Sequence, residues 1–236
     1  MLMTGPAVAG TVCPGAPAAA RMHLPHLQAA LATQTEGLIV ALGSSSTEGV
    51  MASDLAHSYP AVLQAALGNA LQAAHVAVIN RGIGGQDAPE ELARLQDDVI
   101  AIRPQLVIWQ VGANGAVQHE DPGAFDRLVT EGVKRLQAAG IDVILMDNQR
   151  SARILASPDH AALEATLAAV ARDTGANLFS RGRLMDAWQQ EGAVLAHFLA
   201  SDGMHQNDLG YACVAKALAD QIVVALNAPG AISASR

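Results

Sequence analysis

Five apolar runs recur down the chain: Leu38–Leu42, His75–Asn80, Leu106–Val111, Val143–Asp147 and a short one at Asn177–Phe179. Where they are longest (LIVAL, LVIWQV) the apolar residues are continuous and often β-branched. That suits a strand covered on both faces better than an alternating, half-wet one. Between them lie helix-like stretches: Ser53–Ala74, Pro89–Ile102, Pro122–Ala139, Pro158–Asp173 and Asp208–Leu226. Tyr59-Pro60 marks a break near the start of the first, because proline lacks the N–H that a helix interior needs. Pro89 and Pro122 stand at first-turn positions, and Gly140 is a stop signal. Strands alternating with helices of about 12–20 residues predict a three-layer α/β domain around a parallel sheet. It runs through 36–236, behind an N-terminal arm at 1–35.

Composition narrows the partners. The chain has 236 residues, is 51% hydrophobic and carries a net charge of -8. Lys134 and Lys216 are its lysines, and Arg181 and Arg183 are too sparse for the clustered cations that phosphate backbones require. Nucleic acid is therefore excluded as an expected partner. No uninterrupted apolar run of about 18 residues suggests a membrane span. The uncharged segment 1–20 is broken by proline and glycine and lacks the basic start of a signal peptide. It is expected to be extended or partly ordered. The composition leaves the oligomeric state open.

Four short stretches carry the chemistry: Gly43-Ser44-Ser45-Ser46-Thr47-Glu48-Gly49, Asn80-Arg81-Gly82-Ile83-Gly84-Gly85, Val111-Gly112-Ala113-Asn114 and Ser201-Asp202-Gly203-Met204-His205. The first three fall at the carboxyl ends of predicted strands, the edge where open α/β sheets bind ligands. Ser45 is the candidate nucleophile, although a serine run also supplies ordinary turn and N-cap oxygens. A serine hydroxyl needs a base. Of eight histidines, His205 has an acid three residues earlier, Asp202, in a glycine-containing loop. One imidazole nitrogen can take the serine proton while the carboxylate orients the other. Acyl transfer also needs donors for the developing oxyanion. The candidates are the N–H of Ser45, the N–H of Gly85 and the side-chain amide of Asn114. Arg150, after the fourth strand, is a candidate for holding substrate, with a solvated loop arginine as the other reading. Trp109 reads as core.

These stretches resemble the conserved blocks of the SGNH hydrolases, the GDSL esterases and lipases. Ser45 matches the block I serine, Gly85 the block II glycine, Asn114 the block III asparagine, and Asp202 and His205 the block V acid and base. The resemblance covers about 37–226. It implies a flavodoxin-like fold, hydrolysis of esters or thioesters through an acyl-serine, and neither metal nor cofactor. The chain departs from the pattern twice: Gly43-Ser44-Ser45 stands for Gly-Asp-Ser, and Gly115 follows Asn114 where an aspartate is usual. Neither change removes a catalytic group. The expected activity is a serine esterase acting on short acyl groups, among them acetyl groups on carbohydrate. Alternatives are an O-acyltransferase sharing the acyl-enzyme and a non-catalytic binding domain on the same fold. Nucleotide binding through Gly82-x-Gly84-Gly85 is disfavoured, since the turn lacks a P-loop lysine and the dinucleotide Gly-x-Gly-x-x-Gly spacing.

Cys13 and Cys213 fit no metal-ligand spacing. A disulfide between them would tie the arm to the last helix and place the protein in the periplasm or outside the cell. Two free thiols in a cytoplasmic enzyme are the competing expectation.

Overall fold

In the computed structural model, which describes residues 13–33, 36–72 and 75–227, the five runs form one parallel sheet. Its strands are β1 (Gly37–Gly43), β2 (Val76–Gly82), β3 (Leu106–Gln110), β4 (Asp142–Met146) and β5 (Asn177–Phe179). They lie in the order β2-β1-β3-β4-β5. The connection after β2 crosses to the far side of β1, so the strand order reverses there, with Gly43 opposite Gly82 and Leu42 opposite Trp109. The chain leaving β1 thus enters the crevice that such a reversal opens at the strands' carboxyl ends.

Side chains alternate between two cores. Ile39, Ala41, Leu106, Ile108, Ile144 and Met146 join one that takes in the helices Tyr59–Ala70 and Asp208–Leu226. Val40, Leu42, Val107, Trp109, Val143 and Leu145 join the other, with Ala88–Ala93, Pro122–Ala138 and His160–Thr174. Both faces of each central strand are therefore dry, which is why the runs are continuously apolar. Trp109 is fully buried, its Nε1–H donating to Glu91 Oε2 at 2.7 Å.

Helix boundaries differ from expectation in instructive places. The stretch Ser53–Ala74 is a 3₁₀ turn, Leu55–His57, capped by the Asp54 carboxylate, and then a helix over Tyr59–Ala70 with Pro60 in its first turn. Residues 73 and 74 lie outside the described residues. Pro89–Ile102 is broken into Ala88–Ala93, Leu95–Asp98 and the 3₁₀ turn Ile100–Ile102. The first break falls at Arg94, whose side chain reaches back to the sheet edge. Asp208–Leu226 is long and apolar enough to cross a membrane by length and hydropathy alone, yet 56% of its apolar window is buried inside this domain. It is a core helix.

The N-terminal segment is more integrated than an extended arm. Residues 1–12 lie outside the described residues, but Met22, Leu24 and Leu27 are buried in the first core and Pro25–Ala32 is helical. Leu27 N–H donates to Asp142 Oδ2 at 3.0 Å, and His23 and Asn177 exchange backbone and amide hydrogen bonds. Cys13 and Cys213 form a disulfide across a sequence separation of 200 residues. Closing so long a loop restricts the unfolded chain, by up to about 5 kcal/mol in the chain-entropy treatment. Replacing Cys13 with serine is expected to lower Tm by roughly 5–15 °C while sparing activity at 25 °C. Calorimetry of both forms checks this.

Candidate active site

The turn after β1 sorts its three serines by burial. Ser44 and Ser46 are 2% and 1% exposed, and Ser45 is half-buried. Gln110, at the end of β3, makes the difference. Its Oε1 accepts from Ser44 N–H, Ser44 Oγ–H and Thr47 Oγ1–H, each at 3.2 Å. Ser44 is thereby turned inward, and Ser45 begins the short helix Ser45–Glu48 with its hydroxyl outward. The residue that replaces the usual aspartate is thus a buried anchor for the turn.

His205 Nε2 lies 2.8 Å from Ser45 Oγ, and its Nδ1 lies 2.6 Å from Asp202 Oδ2. The other carboxylate oxygen, Oδ1, accepts from the backbone N–H groups of Met204 and His205, both at 3.0 Å. Burial alone would push this carboxyl up. The bonds from the His205 ring and the two N–H groups outweigh it and hold Asp202 below its ordinary range. The acid therefore stays ionised and orients the imidazole. A second Ser, His and Asp trio lies nearby, but Ser53 Oγ and Asp54 Oδ1 both face the same nitrogen, Nδ1 of His57. One nitrogen cannot both accept from the serine and donate to the acid, so that trio is no relay.

The three candidate donors follow β1, β2 and β3 in turn. The Ser45 and Gly85 N–H groups donate to no protein acceptor among the described residues. Asn114 sits in the helix Ala113–Gln118, and its Nδ2 donates one hydrogen to Gln86 O at 2.7 Å, leaving a second. Gly85 has φ +84°, a backbone conformation that strongly favours glycine, with nothing near the space a Cβ would occupy. Its role is conformational. Gly82 is needed for close approach, because a Cβ there would run into the backbone of Glu48.

Several residues that the motifs did not single out hold this arrangement. Glu48 Oε2 accepts from Gly84 N–H at 2.7 Å, tying the turn that carries Gly85 to the turn that carries Ser45. Arg94 donates to Gln86 Oε1, Asp98 Oδ2 and Gly43 O, at 2.6, 2.7 and 3.0 Å. Glu120 leans over Gly115, so a side chain there would meet its carboxylate, and burial pushes that carboxyl up to about 7. The carboxyl of Glu120 thus occupies the space that a side chain at position 115 would fill. Glu48–Gly84 and Arg94–Gly43 join segments distant in the chain, so nothing in the local sequence marks them as partners.

Arg150 is placed otherwise than expected. It donates bidentately to Asp186, through Nε and Nη2 at 2.8 Å each, and pairs with Glu164. Its guanidinium is committed to two carboxylates and little exposed, so it ties helices together where a free substrate-facing cation was expected. Among the described residues, no group of three or more His, Cys, Asp or Glu is placed to hold a metal ion.

Asp147, at the end of the β4 segment, accepts from Ser180 Oγ–H at 2.5 Å and Gly182 N–H at 2.8 Å. Burial pushes its carboxyl up to about 6, against 3.8 for the free group. Because the folded pKa is the higher one, the folded state binds the extra proton. This group's contribution to stability therefore falls as pH rises from about 4 to 6, by about 3 kcal/mol. Asp147→Asn should remove that slope, which urea titrations at pH 4.5 and 7 measure.

Fold and site together define a class: a parallel α/β domain that presents a Ser–His–Asp relay at the carboxyl edge of its sheet, as serine hydrolases do. The chain belongs to the Non-GDSL lipase-like family, whose profile matches residues 12–228. That description fits a block I that reads Gly-Ser-Ser-Ser. No curated protein matches the sequence. Among solved structures, an acetylxylan esterase from Geobacillus stearothermophilus superposes with a TM-score of 0.67 at 19% identity, over 79% of this chain and 94% of that one. LAE5, described as an α/β hydrolase from the metagenome of Lake Arreo, Spain, gives 0.68 at 22% identity, over 81% and 97%. A two-domain esterase active on acetylated mannans gives 0.72 at 21%, over 87% of this chain and 55% of the other. These likenesses establish the fold.

Proposed function

We propose that this protein is a serine esterase that removes short acyl groups, acetyl groups on carbohydrate foremost, through an acyl-Ser45 intermediate. The observation that carries this reading is the unbroken contact from Ser45 Oγ through both nitrogens of His205 to Asp202. Ser45 attacks the ester carbonyl as His205 takes its proton. The carbonyl oxygen gains charge facing the Ser45 and Gly85 N–H groups and the Asn114 amide. His205 then protonates the departing sugar alkoxide, and water repeats the sequence to release the acid. Support for the substrate class comes from the neighbours, several of which are described as esterases of acetylated xylan, xylo-oligosaccharide or mannan.

The Cys13–Cys213 disulfide supports a site of action in the periplasm or outside the cell, since cytosolic thiols stay reduced. Peptide mapping of protein fractionated from its native cells, without reductant, tests that part. Two alkylatable thiols would contradict it.

Activity is tested with p-nitrophenyl esters of increasing chain length beside acetylated xylo- and manno-oligosaccharides. Acetate release from the sugars, with p-nitrophenyl acetate turned over faster than the octanoate, is expected. Turnover confined to long acyl chains would contradict the assignment.

A further inference from the structure

Gln149 lies outside every motif, is 1% exposed, and touches the two segments that carry the nucleophile and the base. Its Oε1 accepts from Arg181 Nη2–H at 2.7 Å and faces Ser46 Oγ at 3.5 Å, while its Nε2–H donates to Met204 O at 3.1 Å. Ser46 follows the nucleophile in sequence and Met204 precedes the base. Arg181 is itself fully buried and also donates to Asp147 O through Nε at 3.2 Å. A guanidinium can only donate, so the atom of Gln149 that faces it must be the oxygen. The amide is therefore fixed in one orientation, with its N–H aimed at Met204.

The Met204 segment is held from two sides. Its N–H donates to Asp202 Oδ1, and its carbonyl accepts from Gln149. The remaining backbone ties of this loop close on their own segment, Ala200 N–H to His205 O and Gly203 N–H to Ala200 O among them. Apart from the His205–Ser45 contact itself, Gln149 supplies the hydrogen bond that fastens the loop to the sheet edge among the described residues.

We infer that Gln149, oriented by the buried Arg181, is a positioning residue that sets the reach of His205 to Ser45. This rests on the reading of Ser45 and His205 as nucleophile and base. Small displacements of reacting groups cost large factors in rate, up to about 10² for a shift near 1 Å.

Gln149→Glu keeps the size and the acceptor for Arg181 but removes the donor to Met204. It should lower kcat by roughly 10- to 100-fold, with KM changed by less than about twofold and the native fold retained. Gln149→Asn keeps both polar groups but is one methylene shorter, so it cannot reach Arg181 and Met204 together; it should lower kcat in the same way, and it serves as the test if the glutamate variant does not fold. Covalent labelling by a fluorophosphonate separates this inference from the reading beneath it. Failure of wild type to label Ser45 would remove the reading. Wild-type labelling at Ser45 with an unchanged rate in the Gln149 variants would overturn the inference alone. In a His205→Ala background the Gln149 substitution should have no further effect on labelling rate, because its influence passes through the imidazole. An equal fold loss in that background would show a general structural role and overturn the assignment.

Discussion

Ser45→Ala is expected to cost roughly 10⁵–10⁶ in kcat on p-nitrophenyl acetate, His205→Ala nearly as much, and the double variant scarcely more. The size follows from what each group supplies. Without Ser45 there is no acyl-enzyme. Without His205 the hydroxyl keeps its proton, and the leaving alkoxide receives none. The two act as one unit, so their losses do not add, and about 7–8 kcal/mol of barrier is at stake in either single variant. Folding should be unaffected, since Ser45 is half-buried at a turn and the anchors of that turn are Ser44, Thr47 and Gln110. Ser53→Ala and His57→Ala should leave kcat unchanged. Their exposed trio converges on a single ring nitrogen and has no second one to relay through. Initial-rate kinetics on all five variants check the set.

Asn114→Ala is expected to lower kcat by roughly 10²–10³, about 3–4 kcal/mol, with little change in KM. The carboxamide is already held by Gln86 O before substrate arrives. Its second hydrogen needs no reorganisation as charge grows on the carbonyl oxygen, and its effect is greatest where that charge is greatest. Asn114→Asp should be at least as damaging, because it brings negative charge towards the oxyanion and removes the donor to Gln86. A rise in KM with kcat preserved would make Asn114 a ground-state binding residue instead.

Much of this molecule is legible in its sequence. Strands buried on both faces leave continuous apolar runs, and all five are present as one parallel sheet. The motifs fall where that sheet must deliver them. Ser45, Asp202 and His205 meet as their spacing suggested, and the two cysteines pair. Most of what the sequence hides at the site depends on contacts between residues far apart in the chain. Glu48 and Gly84, Arg94 and Gly43, and Gln149 and Met204 are joined only by the fold. Arg150 departs from expectation for the same reason. Its position after β4 pointed at the site, but Asp186 and Glu164 come from helices that the sequence could not bring to it. The short helix Arg181–Gln190 shows no clear period in the sequence because its large buried apolar residues, Leu184, Met185 and Trp188, are too few to set one. The helix Pro25–Ala32 was hidden by the low complexity of the segment before it, although Leu27 is fully buried.

The central claim is that Ser45, and neither of the serines flanking it, forms the covalent intermediate. The most direct measurement is mass spectrometry of the intact and digested protein after reaction with a serine-directed fluorophosphonate, in wild type and in Ser45→Ala. The account predicts one adduct per chain, on Ser45, with loss of activity in proportion to labelling, and no adduct in the variant. An adduct on Ser44 or Ser46, or full esterase activity in Ser45→Ala, would contradict it.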